Sequence, residues 1–237
     1  MTLMVGPSTH PCIMKTFLQR YILVVCLAGT AITAPAGLYS SWTGTQTIPD
    51  NDGSGLAYSF SLSDPLVSIT DIAVTINLSG GYNGDLYAYL SHGAGFAVLL
   101  NRVGRTSTSE YGYSTAGFAV TFTDSATGDI HNYQSLSPTY NGSGQLIGTW
   151  GADGRNVDPT VALDTSSRTA KLASFNGQNP NGDWTLYLRD VSPGSISTLN
   201  SWSVDVSAVP EPVDIALGVF AAVVLLVQGG RAWWLRR

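Results

Sequence analysis

The chain has 237 residues, enough for one ordinary domain of up to roughly 200 residues plus processing segments. Between positions 37 and 209 it carries six basic side chains (Arg102, Arg105, Arg155, Arg168, Lys171 and Arg189) against fourteen Asp and Glu, a formal charge of −8. So acidic a surface repels phosphate backbones and excludes nucleic acid as a natural partner.

The first segment is a leader, expected over residues 1–36. Met14-Lys15 precedes YILVVCLAGTAITAPA, whose apolar core of about a dozen residues suits the h-region of a secretory signal better than a membrane span. Ala34 and Ala36 fit an A-x-A cleavage site, which places the mature start near Gly37 and makes Met14 the expected initiator. Cys12 and Cys26 both fall in this discarded part. The mature domain is therefore expected without a disulfide, thiol nucleophile or cysteine metal ligand, and must rest on a packed core.

The next segment, 37–209, reads as all-β. In ITDIAVTINLSG, Ile72, Val74, Ile76 and Leu78 alternate with Ala73, Thr75 and Asn77, a period of two. DLYAYL, FAVLLNR, GFAVTFTD, WTLYLRD and SWSVDVS have the same character. Asn83-Gly84, Asn141-Gly142, Asp153-Gly154 and Asn181-Gly182 supply turn signals between strands. Many short strands over such a length predict a jelly-roll-like two-sheet sandwich. The Ser/Thr-rich stretch RTSTSEYGYSTAG is expected to be an exposed excursion. Trp184, Leu186 and Leu188 share one strand face, Trp202, Val204 and Val206 another, and both sets are expected in the core. Asp190 and Asp85, at strand ends, are expected to cap turns.

The last segment, 210–237, runs through Pro210-Glu211-Pro212, a stretch from Val213 to Val227 that is apolar apart from Asp214, and Arg231, Arg236 and Arg237. With Gln228, Gly229, Gly230 and the following AWWL it approaches the roughly twenty residues a bilayer needs, so one C-terminal transmembrane helix is expected. Trp233 and Trp234 suit the membrane interface, and the arginines suit its cytoplasmic side. The two prolines are expected not to join the helix, which predicts an extended, accessible tripeptide just outside the membrane.

Val209-Pro210-Glu211-Pro212, the apolar run and the basic end together resemble the PEP-CTERM sorting signal of Gram-negative bacteria. The resemblance implies recognition by an exosortase, cleavage near the motif, and passage from the inner membrane to the cell surface or extracellular matrix. A second resemblance lies in the middle segment. Phe175, Asn176, Gly177, Asn181, Gly182, Trp184, Leu186, Asp190 and Trp202 follow the pattern of the P domain, or P/Homo B domain, found beside subtilisin-like proprotein convertases. Gly84-Asp85-Leu86 and Ile48-Pro49-Asp50 match as well, whereas Tyr82 stands where that family often has histidine. This resemblance covers most of Thr47 to Val206 and implies contact with protein, without the serine endopeptidase that such a domain normally accompanies.

Closely spaced Asp50, Asn51 and Asp52, joined by Asp85, are the candidate oxygen ligands for calcium. Catalysis is not expected. The domain offers only His92 and His131 as imidazoles, both read as loop histidines, and neither has a G-x-S-x-G elbow beside it. Paired carboxylates for glycoside hydrolysis stay open. The leading expectation is an exported non-enzymatic module binding an envelope or matrix protein or polysaccharide. Its alternatives are an accessory domain acting in trans on a subtilisin-like protease, or a carbohydrate-binding or carbohydrate-active protein using Tyr87, Tyr89 or Trp150.

Overall fold

Alternating side chains make strands here because each strand must bury one face and wet the other. The structure, a computed structural model, describes residues 36–65, 68–210 and 212–234. Ten strands follow in chain order: β1 (Ala36–Thr47), β2 (Leu56–Leu62), β3 (Ser68–Gly80), β4 (Leu86–His92), β5 (Gly95–Asn101), β6 (Phe118–Phe122), β7 (Thr139–Tyr140), β8 (Leu146–Trp150), β9 (Gly182–Asp190) and β10 (Ser197–Val209). One sheet has six strands in the order β1-β10-β3-β6-β8-β7, the other four in the order β2-β9-β4-β5. The protein is thus mostly β and built of two sheets, which form one compact unit ending at Pro210.

The inward faces make a single core. In β3 the buried residues are Ile72, Val74, Ile76 and Leu78, as the alternation requires, with Ile69 brought inward beyond an irregularity in the pairing with β10, and Trp202, Val204 and Val206 of β10 lie beside them. Leu86, Ala88 and Leu90 of β4 and Trp184, Leu186 and Leu188 of β9 face them from the smaller sheet. Trp184 is fully buried and donates its indole N–H to Pro180 O at 3.0 Å, while Trp202 stacks on Phe60 with centroids 4.5 Å apart. Both tryptophans are core residues, as expected from their strands.

Three features depart from a simple run of hairpins. Strand β8 pairs with β6 in parallel, in register from Phe118↔Leu146 to Phe122↔Trp150. A parallel pair needs a crossover of a dozen or more residues, and residues 123–145 supply it with a 3-10 segment over Ile130–Leu136 and the short strand β7. Asn83-Gly84 is not a two-residue hairpin turn but the start of a 3-10 turn over Asn83–Asp85, where the 109–117 segment docks. Asn83 N and Gly84 N donate to Thr115 O and Tyr113 O, both at 2.9 Å. The excursion is therefore exposed at Tyr111 but anchored through Tyr113, which packs against the core.

Val209 ends β10, and Pro212, expected to stay outside the helix, instead opens it as the first residue of α1 (Pro212–Trp234), a position where the missing N–H breaks no helical bond; Glu211 lies outside the described residues. Among the described residues no helix is long and apolar enough to cross a membrane. Asp214 and Gln228 confine the uninterrupted apolar run to 215–227, which at about 1.5 Å per residue is roughly 20 Å, short of a hydrocarbon core of about 30 Å. The expected transmembrane helix is thus present as a helix but not as a span of sufficient length. The signal peptide of residues 1–36 lies outside the described residues apart from Ala36, as do Arg236 and Arg237, and nothing is described of the Arg231 side chain.

Candidate functional site

Since β4 and β9 turn Leu and Ala inward, their odd partners must face solvent. Those partners are Tyr87, Tyr89 and Ser91 on β4, and Thr185, Tyr187 and Arg189 on β9. The strands are neighbours in register, so Tyr89 stands opposite Tyr187 and Tyr87 opposite Arg189. Directly opposed aromatic side chains on one face attract each other. The Tyr89 and Tyr187 rings stack with centroids 4.8 Å apart and planes 18° apart. Phe96 of β5 extends the patch, 4.9 Å from Tyr89, and Tyr87 joins it at 5.9 Å from Tyr89 and 6.4 Å from Tyr187. All four rings are half-buried, an aromatic platform on the outer face of the smaller sheet.

At one end of the platform lies a cleft of about 370 Å³, lined by Tyr87, Tyr187, Arg189 and the loop Asn156, Val157, Asp158 and Pro159. The loop is held from below by buried polar groups. Asn101, on β5 opposite Tyr87, donates its amide to Arg155 O at 2.9 Å and Val157 O at 3.0 Å. The Arg105 guanidinium donates to Pro159 O at 3.0 Å and Ala162 O at 3.2 Å. Beneath them Arg155 binds Asp129 (3.0 Å) and Asp153 (3.2 Å), and Asp153 also meets His131 Nδ1 at 2.8 Å. A charge cluster so buried, with each member paired, holds one geometry because every alternative leaves a charge unpaired.

The electrostatics of the cleft are mixed. Burial, with the Tyr89 and Tyr187 phenols beside it and Asp158 near, pushes the Tyr87 hydroxyl up to about 12, so it stays a neutral donor and acceptor. Asp52 and Asp158 are each held below the usual carboxyl range, first by their own loop hydrogen bonds (to Ser54 and Thr160 respectively) and then by the charge of Arg189, which acts on both. The Arg189 Nε is buried and has no hydrogen-bond partner.

The residues expected as calcium ligands are arranged differently. Asp50 accepts from Gly194 N at 3.0 Å, and Asp52 caps its own turn by accepting from Ser54 N and Oγ, both at 2.8 Å. Asn51 adopts the left-handed conformation, with φ of 50°. Asp85 is buried against Arg102, whose Nη2 lies 3.7 Å from its Oδ1. Asp190 caps Ser192 N at 3.2 Å, the turn expected of it, and lies close enough to Asp85 and Asp50 to feel both charges. Among the described residues no group of three or more His, Cys, Asp or Glu is placed to hold a metal ion.

Neither histidine sits in an open loop. His92 ends β4 with Nδ1 2.9 Å from Asp183 O and Nε2 2.7 Å from Asn179 O, and its ring stacks on Trp184 with centroids 4.0 Å apart. His131 is fully buried; opposite its bond to Asp153, Nε2 lies 3.0 Å from Arg105 O. The His131–Asp153 pair looks like the base and orienting acid of a hydrolase, but both ring nitrogens are tied, and neither is left to take a proton from a nucleophile. Trp150 is buried and T-shaped against Tyr133, so it forms no part of the aromatic platform. Sequence reasoning reached Tyr87 and Tyr89 but missed Tyr187, Phe96 and Arg189. The outward positions of WTLYLRD and FAVLLNR carried that signal.

No family model matches the chain, and no curated protein matches it. Among solved structures, the chain is similar to the serine protease of Aeromonas sobria, at 15% identity and a TM-score of 0.43, over 80% of this chain and 30% of that one. The same protease in complex with its chaperone gives 13% identity and a TM-score of 0.42, over 80% and 29%. The chain thus spans less than a third of the length of these proteins, and likenesses so slight carry no function across.

Proposed function

We propose that this chain is an exported, non-enzymatic binding module, delivered through the inner membrane and sorted by an exosortase-type enzyme to the cell surface or extracellular matrix of a Gram-negative bacterium. It binds an envelope or matrix component there. The observation that carries the binding reading is the contiguous, half-exposed platform of Tyr87, Tyr89, Tyr187 and Phe96 beside a polar cleft. Aromatic surface that is neither buried nor scattered marks a contact site. The non-enzymatic reading is supported by the tied histidines, since the groups best suited to general base catalysis spend their nitrogens on backbone carbonyls and Asp153. Export and sorting are supported by the apolar h-region ahead of Ala34 and Ala36 and by the Val209-Pro210-Glu211-Pro212 motif followed by an apolar stretch and arginines.

Intact-mass spectrometry of the protein from its native host, with and without the sorting enzyme, tests the reading. A species beginning near Gly37 and ending near Pro210, lost when the enzyme is absent, is the expected result. A mass retaining Arg237 in both strains would replace it with a periplasmic domain held at the inner membrane. Turnover of a peptide or glycan by the purified protein would end the non-enzymatic account.

A further inference from the structure

We infer that the cleft between Tyr87, Tyr187 and Arg189 is a subsite for a neutral glycan, with Tyr89 and Phe96 continuing the platform for the next sugar unit. The inference rests on the binding-module reading and names the ligand class.

The ligand must first match the surface in shape. The half-exposed rings of Tyr89 and Tyr187 stack on each other, with Tyr87 edge-on to Tyr187 and Phe96 tilted against Tyr89, and together make one continuous patch of aromatic carbon in the middle of the sheet. Aromatic carbon of this kind packs well against the weakly polar C–H groups of a partner. A pyranose ring has such a C–H face and carries its hydroxyls around the edge. Around the platform's end the chain places groups that serve those hydroxyls: the Arg189 fork as donor, Asp158 as acceptor, and Asn156 and Tyr87 as both. Planar guanidinium, carboxylate and amide groups bind paired oxygens in bidentate fashion, which matches neighbouring hydroxyls. A cleft of about 370 Å³ lies at the small end of ligand sites, of the order of one or two sugar rings.

Other ligand classes fit less well. An anionic ligand would approach a domain of charge −8, where the cation lining the cleft, Arg189, already acts on the Asp52 and Asp158 charges. A cation would meet Arg189. A peptide adding itself as a strand needs a free sheet edge, but β4 and β9 are paired on both sides, and the outer strand β5, which carries Phe96, already bonds its backbone to Ser174, Ala170, Asp153 and Gly154. A neutral, hydroxyl-rich ligand remains.

The test titrates the full chain calorimetrically with β-1,4-glucohexaose, β-1,3-glucohexaose, xylohexaose and mannohexaose, and measures its retention on the corresponding insoluble polysaccharides. At least one saccharide is expected to bind, with affinity falling tenfold or more in Tyr187→Ala and in Arg189→Met. Tyr187→Phe, which keeps the ring and the fold, is expected to stay within about threefold of the native chain. Tyr39→Ala, exposed on β1 of the other sheet, is expected to bind as the native chain does. Failure of all four saccharides overturns the inference, as does binding that neither Tyr187→Ala nor Arg189→Met weakens. Capture of a proline-rich peptide by the platform in place of every saccharide overturns it as well. If the saccharides fail while the sorted species ending near Pro210 is found, only the glycan assignment falls; retention of Arg237 in both strains removes the sorting reading whatever the glycan result.

Discussion

Asp190 lies beneath the surface with one oxygen capping Ser192 and the other, Oδ2, without a partner. Burial, with the Asp85 and Asp50 charges nearby, pushes its carboxyl up to about 6, against the pull of the Ser192 N–H and of Arg102. Burial raises Asp85 too. A carboxyl whose folded value is raised favours the protonated native state, so its contribution is greatest below the unfolded value near 4 and is lost as pH rises through about 6. A shift of about two units is worth roughly 3 kcal/mol. Denaturant titrations at pH 4.5 and pH 7.5 are expected to show a loss of about 2 kcal/mol at the higher pH, since part of the effect is already gone at pH 4.5, and Asp190→Asn is expected to remove most of the difference. An equal slope in the native chain and in Asp190→Asn would assign the pH dependence elsewhere. Calcium is proposed at this same end of the sandwich, where it would have to displace Arg102 from Asp85. If it binds through the expected Asp50, Asn51, Asp52 and Asp85, calcium near 1 mM, a range typical of extracellular sites, raises the thermal midpoint of the native chain but not of Asp50→Asn. No rise in either removes calcium from the account.

At the scale of elements, one glycine holds the excursion to the sandwich. A Cβ placed on Gly84 would stand 2.0 Å from Tyr111 O and 2.9 Å from Tyr113 N, so backbone, rather than a flexible side chain, forbids any larger residue. Asn83 beside it donates to Gly117 O at 3.2 Å and accepts from Gly117 N at 2.7 Å. Gly84→Ala is expected to force the 109–113 segment away and cost about 1–3 kcal/mol, the range of other overpacking changes. Denaturation midpoints measure the cost, and proteolysis near Tyr111, faster than in the native chain, reports its place. The sequence placed a turn at Asn83-Gly84 but not its purpose, because the carbonyl that excludes a Cβ comes from a segment that propensity alone reads as loop. Strands β3, β4, β5, β6, β9 and β10 were legible from their alternation. Strand β8 was not, since LIGTW is short, interrupted by Gly148 and paired in parallel with a strand more than twenty residues away.

Among the described residues there is no cysteine, so the sandwich carries no disulfide. Cys12 and Cys26 both lie in the expected leader, and no other cysteine occurs, so the sandwich depends on its core and on the buried cluster of Asp129, Asp153, Arg155 and His131. Reducing agent is therefore expected to leave the thermal midpoint of the protein recovered from its host unchanged; a fall would show that a cysteine-bearing leader is retained and bridged. The sequence by itself determined the all-β class and the inward residues Ile72, Val74, Ile76, Leu78, Trp184 and Trp202, because burying one face of a strand imposes a period of two that any reader can count. It also determined the acidic charge and the absence of cysteine from the domain, which are matters of composition. Only the tertiary structure decided that Tyr89 meets Tyr187 nearly a hundred residues later, and that Arg189 faces a loop around Asp158. Only it, too, decided that His92 and His131 are closed by the carbonyls of Asp183, Asn179 and Arg105. Alternation tells which way a side chain points, whereas what it meets depends on which strands and loops lie side by side, and local periodicity does not carry that information.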